Sequence, residues 1–407
     1  MFFTRATVAR TLPFAVYTMF ISLNNALAEG IVDIKPYVGV NTTYDDNIFR
    51  YSGPQQAKAA TGSTAMSDTY VSAEAGVNVN LRLSRQLVSI SAGINKNQFS
   101  RFTQLDNVGK SYGLAWSWRL GNDLSGEIGA SENSAISSFN EFTNKTRNIR
   151  TAKRQFVSAN WQFQPSWTAR VNAEQTQSEN GNKAFNNLDR ESDVFGAGIR
   201  YDNPSNTQLS LDYRITNSIY PNRAGTIFSQ LGNESTQEEW IAAAAWQPTG
   251  KTRMSVNVSQ VSLDYKNTSR QGFSGLSEIF SLDYLFSAKT SLNLSAYQQI
   301  SANDDLVSSY VQSTGFTISP TYNFSEKLNF KASFGLVSRD SLGNAGLVAS
   351  NVESRLDKYK NASISLSYLP TDKSLVQVSY IGERRTTNIV DQDYDYNILN
   401  MSLRYNF

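Results

Sequence analysis

The chain has 407 residues with no histidine and no cysteine, and its 37 basic side chains are nearly balanced by 35 acidic ones. That composition excludes Ser-His-Asp and Cys-His centres, imidazole or thiolate metal sites and disulfides, and the charge balance offers nucleic acid no basic surface. Aromatic residues make up 12%, and the abundance of Ser, Asn, Thr, Tyr, Gly and Val favours strands and polar turns, so no enzyme, cofactor or metal is expected.

In chain order, Arg5 and Arg10 come first, then an apolar stretch from Leu12 to Leu23, then Ala26-Leu27-Ala28. This is the pattern of an export signal cleaved after Ala28, which divides the chain into a signal peptide (1–28) and a single mature unit (29–407). Loss of Arg5 and Arg10 leaves 35 basic residues against 35 acidic ones, a formally neutral mature chain. Beyond Ala28 no apolar run approaches the ~18 residues that a spanning helix needs, so a membrane-embedded form has to be a barrel.

An opening strand is expected around Ile34 to Tyr44. From Val71 the alternation is strict: Val71, Ala73, Ala75, Val77, Val79, Leu81 and Leu83 interleave with Ser72, Glu74, Gly76, Asn78, Asn80, Arg82 and Ser84. Successive side chains of a strand point to opposite faces, so one face is apolar and the other polar, as lipid and a watery lumen require. The template repeats at Val88–Ile94, Leu114–Leu120, Leu124–Ala130, Val157–Phe163, Trp167–Ala173, Phe195–Tyr201, Leu209–Ile215 and Ile241–Ala245. It continues at Met254–Val258, Phe280–Phe286, Leu292–Ala296, Phe316–Tyr322, Leu328–Phe334, Ala362–Tyr368 and Val376–Tyr380. With the last strand, the reading is all-β: a transmembrane up-and-down antiparallel outer-membrane β-barrel of about 18 strands.

Two kinds of connection alternate. Short ones with turn chemistry fall at 84–86, 121–123, 164–166, 203–206, 247–250, 287–289, 325–327 and 370–373. Longer polar stretches fall at 52–67, 100–110, 133–150, 178–190, 217–237, 264–272, 301–311, 339–358 and 386–394, and are expected outside the cell. Of these, 217–237 and 339–358 are the candidates for folding into the pore. Aromatic residues gather beside the short turns (Trp116, Trp118, Trp161, Phe163, Trp167, Tyr201, Trp246, Tyr284, Phe286, Tyr322, Phe324, Tyr368, Tyr405, Phe407), as an interfacial girdle would.

Strand parity aims Arg82, Arg119, Arg170, Arg200, Arg214, Arg253, Lys331 and Arg404 into the lumen with Glu74, Glu127, Glu174, Asp212 and Asp283. A basic surplus there would attract anions, or the charges would pair across strands and select nothing. Lumen-facing Tyr297 and Asn293 could contact sugar rings and hydroxyls. The carboxylate groups Asp45-Asp46, Asp304-Asp305 and Asp391, Asp393 and Asp395 read as solvated loop charge or divalent-ion binding at the rim. At the C-terminus, Leu403, Tyr405 and Phe407 share one face of the last strand, resembling the signal by which bacterial outer-membrane barrels are recognised for assembly.

The stretch Tyr44-Asp45-Asp46-Asn47-Ile48-Phe49-Arg50, following Ile34–Thr43, resembles the opening of the EpsL-type proteins, which are associated with exopolysaccharide biosynthesis and belong to a porin-like barrel superfamily. The resemblance implies an outer-membrane pore through which a polysaccharide leaves the cell, with polysaccharide-export envelope proteins as partners. Expected in any case are outer-membrane lipid and lipopolysaccharide, the barrel assembly machinery, and a location in the bacterial outer membrane with a periplasmic N-terminus. The alternatives are a general or solute-specific uptake porin and a barrel whose extracellular loops serve adhesion.

Overall fold

The computed structural model describes residues 31–140, 145–223, 232–266, 272–302, 308–343 and 354–407; the expected signal segment lies outside them. Among the described residues are eighteen strands. The first half comprises β1 (Val32–Asp45), β2 (Asp68–Leu83), β3 (Gln86–Phe99), β4 (Asn107–Leu120), β5 (Leu124–Ile136), β6 (Ile149–Gln164), β7 (Trp167–Asn180), β8 (Arg190–Asn203) and β9 (Thr207–Ile219). The second comprises β10 (Glu234–Thr249), β11 (Thr252–Lys266), β12 (Phe273–Leu285), β13 (Thr290–Ala302), β14 (Tyr310–Asn323), β15 (Leu328–Leu342), β16 (Leu356–Thr371), β17 (Ser374–Thr387) and β18 (Tyr394–Asn406).

Each strand pairs antiparallel with its sequence neighbours, and β1 pairs with both β2 and β18. The β1–β18 seam runs from Tyr37 opposite Asn406 to Asp45 opposite Ile398 and closes the sheet into an up-and-down barrel. Closure satisfies the backbone of every strand without leaving an edge, the condition for a sheet to live in hydrocarbon.

The alternation makes one face apolar and leaves it uncovered: Val40 is 50% exposed, Leu114 51%, Val171 55% and Leu403 52%. A continuous uncovered belt of this kind marks a lipid-facing exterior. Short connections all lie at one end of the barrel, from Ser84-Arg85 to Asp372-Lys373, and longer ones at the other. Ser84 and Asn206 take positive φ (56° and 58°), as does Gly121 (62°), the conformation that two- and three-residue hairpin turns demand. At the same end of the barrel aromatic pairs meet edge to face where β12, β14 and β18 end: Tyr284–Phe286 at 4.6 Å, Tyr322–Phe324 at 4.8 Å and Tyr405–Phe407 at 5.1 Å between ring centroids.

Several strands run past their apolar pattern at the loop end. Ile149–Phe156 belongs to β6 although the alternation begins only at Val157, and β9 and β10 reach Ile219 and Glu234, inside the stretch expected to be loop. Ladder hydrogen bonds do not need apolar partners, so the sequence period measures the lipid belt and not the strand.

On the inner face three aromatic rings lie against glycines of neighbouring strands: Tyr37 on Gly76 and Gly93, Phe156 on Gly129, and Tyr297 on Gly315. A Cβ at any of these glycines would collide with the ring, so the absent side chain makes the seat. Arg404 covers Tyr37 at 3.7 Å and Arg154 covers Phe156 at 4.2 Å.

Candidate functional site

The chemistry concentrates at the loop end, beginning where β1 stops. Asp45 Oδ1 accepts the amide of Asn47 at 2.9 Å, an Asx turn that reverses the chain over the barrel mouth. Asn47 then acts as a clasp. Its Nδ2 donates to the carbonyls of Tyr51 (2.8 Å) and Asp395 (2.9 Å), while its Oδ1 accepts the amide of Tyr51 (2.9 Å). Asp46 holds Asn397 across the seam, accepting from its amide at 2.7 Å and from its Nδ2 at 2.8 Å.

These turns bury Ile48 (6% exposed) and Phe49 (3%) with Tyr51, Phe102 and Leu105. Helix α1 (Pro54–Thr61) starts with proline in its first turn, stops at Gly62 (φ 77°), and adds Ala57 to the same cluster. Phe49 packs 4.9 Å from the rings of both Phe102 and Phe139, so the β1–β2, β3–β4 and β5–β6 loops form one body. At Asn140 this body reaches across part of the mouth: its carbonyl accepts from Arg385 of β17 at 3.3 Å and its Oδ1 from Arg50 Nε at 3.1 Å. A contact between β17 and a loop six strands away is a chord over the lumen, and it fixes which strand face is inner.

Four cations line this constriction. Arg50 bridges Asp45 at 2.9 Å and lies 3.6 Å over the Tyr396 ring. Arg355 pairs with Asp357 at 2.8 Å. Arg385 has no carboxylate partner among the described residues; it donates to the carbonyls of Gln392 and Asn140 and rests 4.4 Å over Tyr394. Lys145 donates to the carbonyl of Phe139. Burial, reinforced by Arg385, Arg50 and Arg355, pulls its ammonium down to a pKa of about 8. The nearby Glu383 accepts the Tyr394 hydroxyl at 3.2 Å. Among the described residues, two of the four cations, Lys145 and Arg385, take no carboxylate partner, in a confined and partly desolvated place where an anion would be attracted strongly.

The wall residues read from strand parity lie below, and most are engaged. Arg170 bridges Asp212 at 2.6 Å, Arg200 bridges Asp202 at 2.8 Å, and Arg214 binds Glu239. Arg119 reaches only the Asn122 carbonyl of its turn (3.5 Å), and Asn293 donates to Asp283 at 2.7 Å. Arg404 and Tyr297 are occupied with Tyr37 and Gly315 as described above. Arg82, Arg253 and Lys331, near the tight turns, take no ion pair among the described residues. Leu403, Tyr405 and Phe407 lie on the exterior, and the Phe407 amide donates to the Pro36 carbonyl at 3.0 Å, so the terminal residue is stitched to β1.

The sequence named Arg50 only as the end of the stretch that carries the family resemblance, and singled out none of Lys145, Arg355 and Arg385. Its candidates for inward folding, 217–237 and 339–358, fall partly outside the described residues, and the second contributes Arg355; the loops after β1, β3 and β5 build the chord. Asp45 and Asp46, read as solvated or ion-binding, instead fasten a turn, and Asp393 accepts the Thr387 amide at 2.7 Å. Asp304 and Asp305 lie outside the described residues. No three acidic side chains converge on a metal-sized site among the described residues.

No protein-family model matches the sequence, and neither does any curated protein. Solved outer-membrane structures do resemble the fold. OccK2 (OpdF) of Pseudomonas aeruginosa, in complex with glucuronate, is 11% identical with a TM-score of 0.53 over 92% of this chain and 98% of that one. OccK5 (OpdH) of the same organism is 10% identical with a TM-score of 0.51 over 92% of this chain and 98% of that one. OccAB3 of Acinetobacter baumannii is 9% identical with a TM-score of 0.50 over 92% of this chain and 99% of that one. The EpsL-type resemblance gains no support from these comparisons. At such identities the likeness is one of architecture, and the chain has the closed eighteen-strand fold of Gram-negative outer-membrane porins.

Proposed function

We propose that this protein is an outer-membrane channel that takes up small anionic, hydroxylated solutes and selects them at the basic constriction of the mouth. The observation that carries the reading is the chord of loops holding Arg50, Lys145, Arg355 and Arg385 together, two of them without a carboxylate among the described residues. Barrels of this strand number leave an aqueous channel, so selection has to come from what narrows it. The bound glucuronate of OccK2, a small sugar acid in a barrel of the same architecture, supports the solute class. In this reading the loop end faces outward, and the turn end, with both the first strand's start and Phe407, faces the periplasm.

Polysaccharide export retains one support, the stretch Tyr44–Arg50. Those residues have a sufficient physical role in building the constriction, and a continuous polymer would have to thread past it. The deciding measurement is permeation in planar bilayers and in swelling liposomes. Anion-selective conductance, with glucuronate entering faster than glucose, is the expected result. Cation selectivity, or equal rates for the two sugars, would overturn the reading; passage of a long polysaccharide would restore export.

A further inference from the structure

The exterior carries a feature that solute passage does not use. On the lipid-facing side of β16 the residues Tyr368, Leu366, Ile364 and Ala362 are followed, in the same parity, by Lys360 and Lys358. Lys360 stands directly opposite Arg384 of β17 in the ladder, so three exposed cations sit on two adjacent strands. With about 3.3 Å per residue and a tilt near 45°, they stand roughly 19–23 Å above the Tyr368 girdle, where an apolar belt of about 25 Å comes to its end. That is the level of headgroup phosphates.

Exterior cations differ in whether a carboxylate answers them. Lys153 of β6 is paired with Glu179 at 3.4 Å. Lys358, Lys360 and Arg384 take no ion pair among the described residues, although Asp395 faces Arg384 in register. Beside the lysines opens a groove of about 710 Å³ that crosses the outer face from β11 to β16. Val256, Val258, Phe280, Ala296, Phe316 and Leu336 line it, with Lys358 and Lys360 on its β16 side and Glu278 on β12. An apolar slot leading to clustered positive charge is complementary to one chemistry, an acyl chain carried by a phosphorylated headgroup.

We propose that this face is a binding site for a phosphorylated, multiply acylated glycolipid of the outer leaflet, its phosphates on Lys358, Lys360 and Arg384 and one acyl chain in the groove. The site rests on the outward orientation of the loop end given above, and its test involves no transport. The folded full-length chain in detergent micelles is incubated with diphosphorylated lipid A or with its dephosphorylated form, and retained lipid is counted by native mass spectrometry. The wild-type barrel should retain the diphosphorylated lipid at least tenfold better. The triple variant Lys358→Gln, Lys360→Gln, Arg384→Gln, verified as folded by its heat-modifiable mobility, should lose that preference, whereas Lys96→Gln with Lys110→Gln, two other exterior cations, should keep it. Ala296→Trp, which fills the groove and leaves every charge, should lower retention several-fold. Equal retention of the two lipids by the wild-type barrel would overturn the site without reference to any variant, and so would an unaltered preference in the triple variant. Unchanged retention by Ala296→Trp would remove the groove from it.

Discussion

The two ends of the barrel are built on different principles. At the turn end each connection is local: two to four residues, tied at most to the next turn along the rim, as Arg85 is to Asn122, with an aromatic pair ahead of the turns after β12 and β14. At the loop end a single assembly is drawn from several loops and strand ends, in which Phe49, Asn47 and Arg385 each hold partners far away in sequence. Losing one unit of the first kind leaves the others intact. Losing one residue of the second releases a constriction, so function and fragility are gathered at the same end.

Cutting the centre of the loop assembly should separate the ends most sharply. Phe49→Ala removes a ring buried against Phe102 and Phe139, a change that typically costs about 3–5 kcal/mol when the site cannot collapse. Single-channel conductance should rise severalfold as the chord comes loose, while the barrel keeps its heat-modifiable mobility. Phe324→Ala, at the turn end, should leave conductance within experimental scatter. If both variants conduct alike, the loops do not set the pore.

Next in size is charge at the chord. Arg385→Gln deletes a cation held, among the described residues, by carbonyls and a ring, and the chloride-to-potassium permeability ratio should fall several-fold in reversal-potential measurements.

A pH dependence should follow from Lys145. Its pKa is depressed from 10.5 to about 8, so the folded state binds fewer protons than the unfolded one between those values. The cost of keeping the ammonium docked is present in full below pH 8 and fades as pH rises toward 10.5, so docking of the β5–β6 loop strengthens upward through that window. Anion selectivity moves the opposite way, declining from pH 7 to 9 as the charge leaves. Lys145→Met should flatten that decline, and a profile identical to wild type would show that Lys145 does not face the permeating ion.

The smallest effect is expected on the wall. Arg214→Gln with Glu239→Gln removes a partly exposed ion pair worth at most about 1 kcal/mol. Arg82, Arg119 and Arg200 replaced together with Gln should change selectivity less than Arg385→Gln does alone. Should the triple substitution have the larger effect, selection belongs to the turn end.

The same contrast explains what could be read from the sequence. Strand number, the order of short and long connections, the exterior face and the girdle all depend on residues within a few positions of one another, with period two and turn chemistry as the signals. The constriction depends on contacts such as Arg385 to Asn140, 245 positions apart, for which no local period exists. A sign was nevertheless present. Ile48, Phe49, Phe102, Leu105 and Phe139 are apolar residues set in stretches otherwise polar enough to pass for solvated loops, and such residues have to be buried somewhere. Parity located the wall charges and could not tell which would be neutralised, because an ion pair like Arg170 with Asp212 joins residues 42 positions apart.

The seam has a consequence in time. β1 can meet β18 only when the last strand of the chain is available, and Phe407 itself donates to Pro36 across that join. Asp46 and Asn47 clasp Asn397 and Asp395 directly above it, so the mouth cannot narrow before the wall is complete. A barrel still open along this line would be a wide, unselective hole; the clasp ties the onset of discrimination to the closing stitch of folding, and makes the narrowed state a record that assembly has finished.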